Sequence, residues 1–269
     1  MTFESYNDFH LGDNLIHLNF LRRLAIKHPD HQFRHWLQPC HIEPLRAIAD
    51  VPKGNLELAS LEGEMAVDGS MEKRPANARN VWKNAGGFWE GHKLRNDWAN
   101  FHVAWFALMA GEMGLQSPIA DTMDLLLDYP AIVSGLDVPR FDVLFVNSQP
   151  CSGQFLDFDT AHCMDPMINA LVENGLKVVC TQPTPCGAPC TRDWGLNITQ
   201  IGSLSLTVPY HVMVATGPMW TTFNIWNTLT TKLRLLMLGN GERLNMPVPI
   251  EQVSTKDQAW KALERHGLL

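Results

Sequence analysis

The sequence is first informative for the signatures it lacks. Its 269 residues contain no G-x-x-x-x-G-K-[ST], which excludes a P-loop nucleotide site. There is no G-x-G-x-x-G, which argues against a dinucleotide-dependent oxidoreductase. Neither G-x-S-x-G nor H-E-x-x-H occurs, so the common hydrolase and zinc-protease readings lack support. No apolar run approaches the ~18 residues of a membrane span, and no transmembrane segment is expected. Residues Met1 to Tyr6 have neither a basic n-region nor an apolar h-region. That predicts no signal peptide and a cytoplasmic chain. Positive charge is also short: 21 Lys and Arg face 28 Asp and Glu, for a net charge of -7. Bulk electrostatics therefore do not favour nucleic acid as a partner.

What is present suits a folded protein. At 45% hydrophobic and 18% charged residues, the chain has material for packed cores and is not disordered. Six cysteines are expected as reduced thiols. Three of them, Cys180, Cys186 and Cys190, cluster in a Pro-rich stretch. They admit three readings: a metal site, a disulfide or an ordinary loop. No second closely spaced pair follows, which counts against zinc.

Periodicity predicts a helix over 14–27, with Leu15, Leu18, Leu21, Leu24 and Ala25 on its apolar face and Asp13 as N-cap. A strand over 32–37, a helix over 42–49 and a strand over 55–61 follow, the alternation of a parallel sheet. Residues 63–97 show little periodicity. Residues 98–114 read as a buried helix closed by Gly114. A break containing Pro130, Gly135 and Pro139 precedes an apolar strand over 142–147. Then come a helix over 160–174 and strands over 177–181, 197–201 and 211–215. A last helix over 255–266 has Ser254 as cap and Asp257 at the fourth box position. The expected class is α/β with two Rossmann-like halves, 1–130 and 140–269. A single larger α/β domain is the alternative.

Three turns are candidates for chemistry. In Phe9 to Asn14, Gly12 lets a ligand approach the backbone, and Asp13 either reaches a cleft above the sheet or only caps the helix. In Thr216-Gly217-Pro218-Met219-Trp220-Thr221, free N–H groups and the hydroxyls of Thr216, Thr221 and Thr222 suit a diphosphate, or form a plain capped turn. The third, Asn147 to Gly153, sits at a strand's carboxyl end and offers Ser148, Gln149, Ser152 and Gly153. Beyond it, Asp157 and Asp159 form a D-x-D that either holds a metal or caps a helix. Arg192 is the first choice to neutralise a diphosphate, with a surface arginine as the plain alternative. Trp82, Phe88 and Trp89, near Lys93 and Arg95, either stack on an acceptor sugar or pack.

In their order along the chain these turns resemble a known family. Leu11-Gly-Asp-Asn-Leu-Ile-His-Leu-Asn-Phe-Leu-Arg-Arg-Leu24 is similar to the opening of the heptosyltransferase-like glycosyltransferases of the GT-B fold. Leu171 to Val179, Ile201-Gly-Ser-Leu-Ser205 and Ala215-Thr-Gly-Pro-Met-Trp220 follow that family's later motifs, with Trp220 where the family often has His. The resemblance implies two Rossmann-like domains facing across a cleft, an acceptor domain first and a donor domain second. It implies inverting, metal-independent transfer from a nucleotide-sugar to a hydroxyl of a glycan, a lipid-linked or another acceptor, with no further cofactor. Asp13 resembles the family's general base, with His10 and His17 as rivals for the proton. Gly217 and Pro218, with Met219 and Thr221 beside them, resemble its donor-phosphate turn. A non-catalytic nucleotide- or sugar-binding module, or a nucleotide-dependent epimerase or oxidoreductase, are the other readings.

Overall fold

A computed structural model describes the chain apart from residues 9, 66–70, 74–77, 81–96, 134, 150–159 and 239–242. It divides into two compact units: Met1–Leu127 with Leu244–Pro247, and Asp128–Arg243 with Val248–Leu269.

The first unit opens with β1 (Thr2–Asn7), α1 (Leu11–Lys27), β2 (Gln32–Leu37), α2 (Pro39–Ala49) and β3 (Leu56–Ser60). The three strands are parallel, with Thr2 opposite Gln32 and Phe33 opposite Leu56. After a short antiparallel pair, β4 (Glu62–Met65) and β5 (Met71–Lys73), the strand β6 (Arg79–Asn80) adds to the free side of β1 and gives the order β3-β2-β1-β6. Leu15, Leu18, Leu21 and Leu24 of α1 are buried, as their spacing predicts. Phe20 also stacks on Phe106 of α3 (Trp98–Glu112) at 4.5 Å between ring centroids. The buried amide of Asn55 donates to the carbonyls of Ala25 (3.0 Å) and His31 (2.9 Å), closing the turn from α1 to β2.

The second unit contains β7 (Val143–Val146), α4 (Thr160–Glu173), β8 (Val178–Cys180), α5 (Ile198–Leu204), β9 (Tyr210–Val214), β10 (Leu233–Met237), β11 (Glu251–Val253) and α6 (Lys256–Arg265). Its five strands are all parallel, in the order β11-β10-β9-β7-β8. Every residue of β7, β8 and β10 is buried, which is why these strands are continuous apolar runs rather than alternating ones.

Several local expectations are corrected. Residues 197–201 are not a strand but the start of α5. Asn197 accepts from the Gln200 N–H (3.0 Å) and the Gln200 side chain accepts from the Asn197 N–H (2.9 Å), a capping box that outweighs the β-branched residues. The same box opens α6 one residue later than expected, with Thr255 and Gln258 in place of Ser254 and Asp257. The first helix begins at Leu11, so His10 is its N-cap and Asp13 lies inside its first turn. Strands β1, β10 and β11 were not read from the sequence.

Candidate active site

In the first unit, the carboxyl end of β1 leads into α1 and brings four polar side chains together. Asp13 is half-buried. From the first turn its carboxylate reaches back to the backbone N–H of the N-cap, His10. Burial pushes its carboxyl up to about 6, against the opposing pull of the His10 ring and of the backbone N–H groups of His10 and Asp13. A helix N-terminus favours the charged form of a carboxylate, but here desolvation is the larger effect. Asn14 ties the cluster together, its Nδ2 donating to the His10 carbonyl (3.1 Å) and to His41 Nδ1 (3.4 Å). His41 stands on the first turn of α2. Burial, and then the charge of His10, push its imidazole down to about 4. No motif pointed to His41, because it sits on another helix and meets the cluster only through the parallel β1–β2 pairing.

His10 is exposed, whereas His17 is fully buried. Its Nδ1 meets Asn7 Nδ2 at 2.8 Å and its ring packs edge-on against Phe106. Burial holds it well below the ordinary histidine range. The expectation of His17 as a rival base is therefore corrected: it is a core residue, with no surface on which to meet an acceptor hydroxyl.

In the second unit, β9 runs into a 3-10 helix over Gly217–Thr222 with Thr216 as N-cap and Pro218 in the first turn. Thr216, Gly217 and Pro218 are half-buried and border the surface. Met219 and Thr221 are buried at 1% and 0% exposure, which corrects their assignment as ligand contacts. The Thr221 hydroxyl donates to the Pro218 carbonyl (2.8 Å) and that of Thr222 to the Met219 carbonyl (2.7 Å). Both bonds close within the turn, which packs on α5, where a Cβ on Gly202 would meet the Thr221 carbonyl at 3.1 Å. The turn is braced from behind by a network the sequence did not reveal. Asn224 Nδ2 and Asn227 Nδ2 both donate to Ser205 Oγ (3.1 and 2.9 Å) and to the carbonyls of Thr221 (3.1 Å) and Thr222 (2.8 Å). The buried Arg234 guanidinium in turn donates to Asn227 Oδ1 (2.9 Å).

At the carboxyl ends of β7 and β8, Ser148 Oγ and Thr181 Oγ1 lie 3.2 Å apart, and the Asn147 carboxamide accepts from the Gln182 N–H (2.8 Å). Gln149 is exposed beside them. Arg192 is exposed on the turn over Thr191–Trp194. Ser152, Gly153, Asp157, Asp159, Trp82, Phe88, Trp89, Lys93 and Arg95 lie outside the described residues. Cys180, Cys186 and Cys190 are free thiols. Among the described residues, no three or more His, Cys, Asp or Glu side chains are placed to hold a metal ion. No described helix is long and apolar enough to cross a membrane.

No protein-family model and no curated protein sequence matches the chain. Solved structures do. The heptosyltransferase WaaC of E. coli, solved with ADP-2-deoxy-2-fluoro heptose, matches with a TM-score of 0.57 at 10% identity over 99% of this chain and 100% of its own. The iron-containing dodecameric glycosyltransferase TibC of enterotoxigenic E. coli matches with a TM-score of 0.52 at 14% identity over 94% of this chain. The match spans 61% of the TibC chain. A family 9 glycosyl transferase of Veillonella parvula matches with a TM-score of 0.50 at 11% identity, over 99% of this chain and 89% of its own. In its fold, the chain resembles the heptosyltransferase-like glycosyltransferases.

Proposed function

We propose that this protein is a glycosyltransferase that moves a sugar from a nucleotide-sugar donor to an acceptor hydroxyl in one inverting, metal-independent displacement. The observation that carries the reading is Asp13. It is a half-buried carboxylate at the carboxyl end of β1, titrating near 6, on a fold shared with heptosyltransferases. A base of that strength is largely ionised at neutral pH yet holds a proton better than an exposed aspartate, the balance general-base catalysis favours. Asp13 takes the acceptor proton as the hydroxyl oxygen attacks the anomeric carbon, and the sugar–diphosphate bond breaks on the opposite face. The negative charge that develops on the leaving diphosphate is met by the N–H groups at Thr216 and Gly217, by Ser148 and by Arg192. In this reading residues 1–130 take the acceptor and residues 140–269 the donor. No cofactor is needed beyond the nucleotide-sugar, and the chain works in the cytoplasm.

The first donor to test is ADP-heptose, because WaaC and TibC were each solved with that sugar nucleotide or an analogue. A thermal-shift screen against ADP, UDP, GDP, CMP and their sugar conjugates tests the reading. A true donor at 100 times its dissociation constant stabilises by about 2.7 kcal/mol. Stabilisation by a nucleoside diphosphate and its sugar conjugate, and transfer to acceptor or water, is the expected result. A flat panel in a folded protein refutes the donor site.

A further inference from the structure

The segment 224–232, which leads from the 3-10 helix of the second unit into β10, is polar within and apolar without. Leu229 is 97% exposed and Ile225 41%, and Trp226 beside them is half-buried. The polar groups of the same segment are bonded to one another. Asn224 Oδ1 accepts from the Asn227 N–H (3.1 Å), and the Asn227 carbonyl accepts from the Thr231 N–H (3.2 Å). The Thr228 hydroxyl donates to the Ile225 carbonyl and the Thr231 hydroxyl to the Asn227 carbonyl, both at 3.1 Å. From beneath, the buried Arg234 guanidinium donates to the Asn227 carbonyl (2.7 Å) and to Thr231 Oγ1 (3.0 Å). The apolar side chains are thus presented on a hydrogen-bonded platform. A loop that stays in water can leave its hydroxyls to the solvent. A segment that leaves water must satisfy them internally, because an unbonded polar group is costly in an apolar medium.

Charge singles out one kind of partner. The chain carries a net charge of -7, yet between Asp193 and Glu242 it has no Asp or Glu. Its Lys and Arg in that stretch are Lys232, exposed at the foot of the turn, and the buried Arg234. On the neighbouring strands, Asp142 accepts from the Lys177 N–H (2.9 Å) and is matched by the exposed Lys177. Exposed aliphatic groups and a tryptophan, with a lysine at their base and no carboxylate among them, match an anionic bilayer. There the apolar groups enter below the headgroups and the ammonium stays at the phosphates. A tip of three side chains is too small for a stable protein–protein interface, which takes about 20–30 residues a side. We propose that Ile225, Trp226 and Leu229 form a docking tip by which the second unit rests on an anionic lipid surface, with Lys232 at the phosphates. The tip lies at the amino end of β10, where the Lys232 N–H donates to the Pro209 carbonyl (2.8 Å). Ser148, Thr181 and Thr216 follow the carboxyl ends of strands in the same parallel sheet, so docking leaves them free.

Co-sedimentation of the full chain with lipid vesicles tests this. It needs no sugar donor, so its outcome is independent of the transfer reading. The vesicles are equal parts phosphatidylglycerol and phosphatidylcholine, with phosphatidylcholine alone for comparison. The wild type should pellet with the anionic vesicles and more weakly with the neutral ones. Leu229→Asp should lower its partition onto the anionic vesicles by about tenfold or more, the scale of burying one leucine. Ile225→Ser combined with Leu229→Ser should do the same without adding charge. Both positions are exposed, so melting temperatures should hold, which separates lost docking from lost folding. Val172→Ser, at another exposed apolar position of the second unit, should bind as the wild type does. A wild type that stays in the supernatant, or a Leu229→Asp variant that pellets like it, overturns the proposal. So does a mass that doubles with concentration in sedimentation velocity and returns to one chain in Leu229→Asp, which would make the tip a contact between copies.

Discussion

Asp13 illustrates how a single residue can work against stability in favour of chemistry. Its carboxyl is raised from 3.8 to about 6, so between those values the folded state binds more protons than the unfolded one. Stability from this group is therefore present at low pH and is lost as pH rises through that window. Asp13→Asn should stabilise the protein at pH 7.5, by on the order of 1–2 kcal/mol once solvent screening of a half-buried group is allowed for. The gain should vanish below pH 4, which urea melts at both pH values will show. The same variant should lose ~10²-fold or more in turnover. In the wild type, kcat/KM should fall on an acid limb near pH 6, the midpoint of that carboxyl. The sequence displayed the Gly-Asp turn but misplaced its cap by three residues. It gave no sign of the cluster's other half, because His41 lies 28 positions on from Asp13 and only the β1–β2 register brings it near.

At the scale of elements, β2 and β3 were legible from their alternation with helices and β7 to β9 from their apolar runs, while β10, buried throughout, was not. The misread ones failed for definite reasons. In Asn197 to Ile201 the β-branched residues pointed to strand, while the polar pair at 197 and 200 settled the matter through the capping box. The turn after β9 was legible as a turn, but which of its side chains face solvent was not, because a 3-10 helix turns Met219 and Thr221 inward. Two substitutions separate its inner and outer sides. Gly217 is not among the glycines in the left-handed region, so Gly217→Val should fold, while its branched side chain blocks the approach of a phosphate and weakens nucleotide binding in the thermal-shift screen. Gly202→Ala acts from beneath. Its Cβ would lie 3.1 Å from the Thr221 carbonyl and 3.3 Å from Ile132 Cδ1, and overpacking of this kind costs ~1–3 kcal/mol. A fall in melting temperature is the expected outcome, and an unshifted melt would mean that α5 yields easily.

For the whole molecule, buried histidines set the response to acid. His35 and His211 are held neutral down to about 3 and His102 to about 4 by burial, and His17 is also pushed far down. Each has a folded value below the ordinary 6.5, so its contribution is complete above that pH and is lost as pH falls toward the folded value. Each ring removes up to about 1.4 kcal/mol per pH unit in that window. Three of the four, His17, His35 and His102, belong to the first unit and only His211 to the second. Calorimetry between pH 7 and pH 4 should therefore show the first unit's transition falling faster. A single transition that moves as one would mean that the units unfold together. Composition conveyed a packed core, and the alternation of strands and helices the α/β class. It could not convey that so many of the 11 histidines are core residues, since an imidazole in a helix or strand reads as polar until its neighbours are known.

The four residues Leu244–Pro247 belong to the first unit although the chain on either side of them belongs to the second. On a ribosome, the first unit is therefore complete only once Pro247 has emerged, after most of the second unit. Until then its nascent form lacks Leu244 and Met246, both buried in the finished protein. A gene cut after Leu127 would hand those residues to the wrong fragment. A split version meant to reassemble from two pieces would need a copy of 244–247 appended to the first.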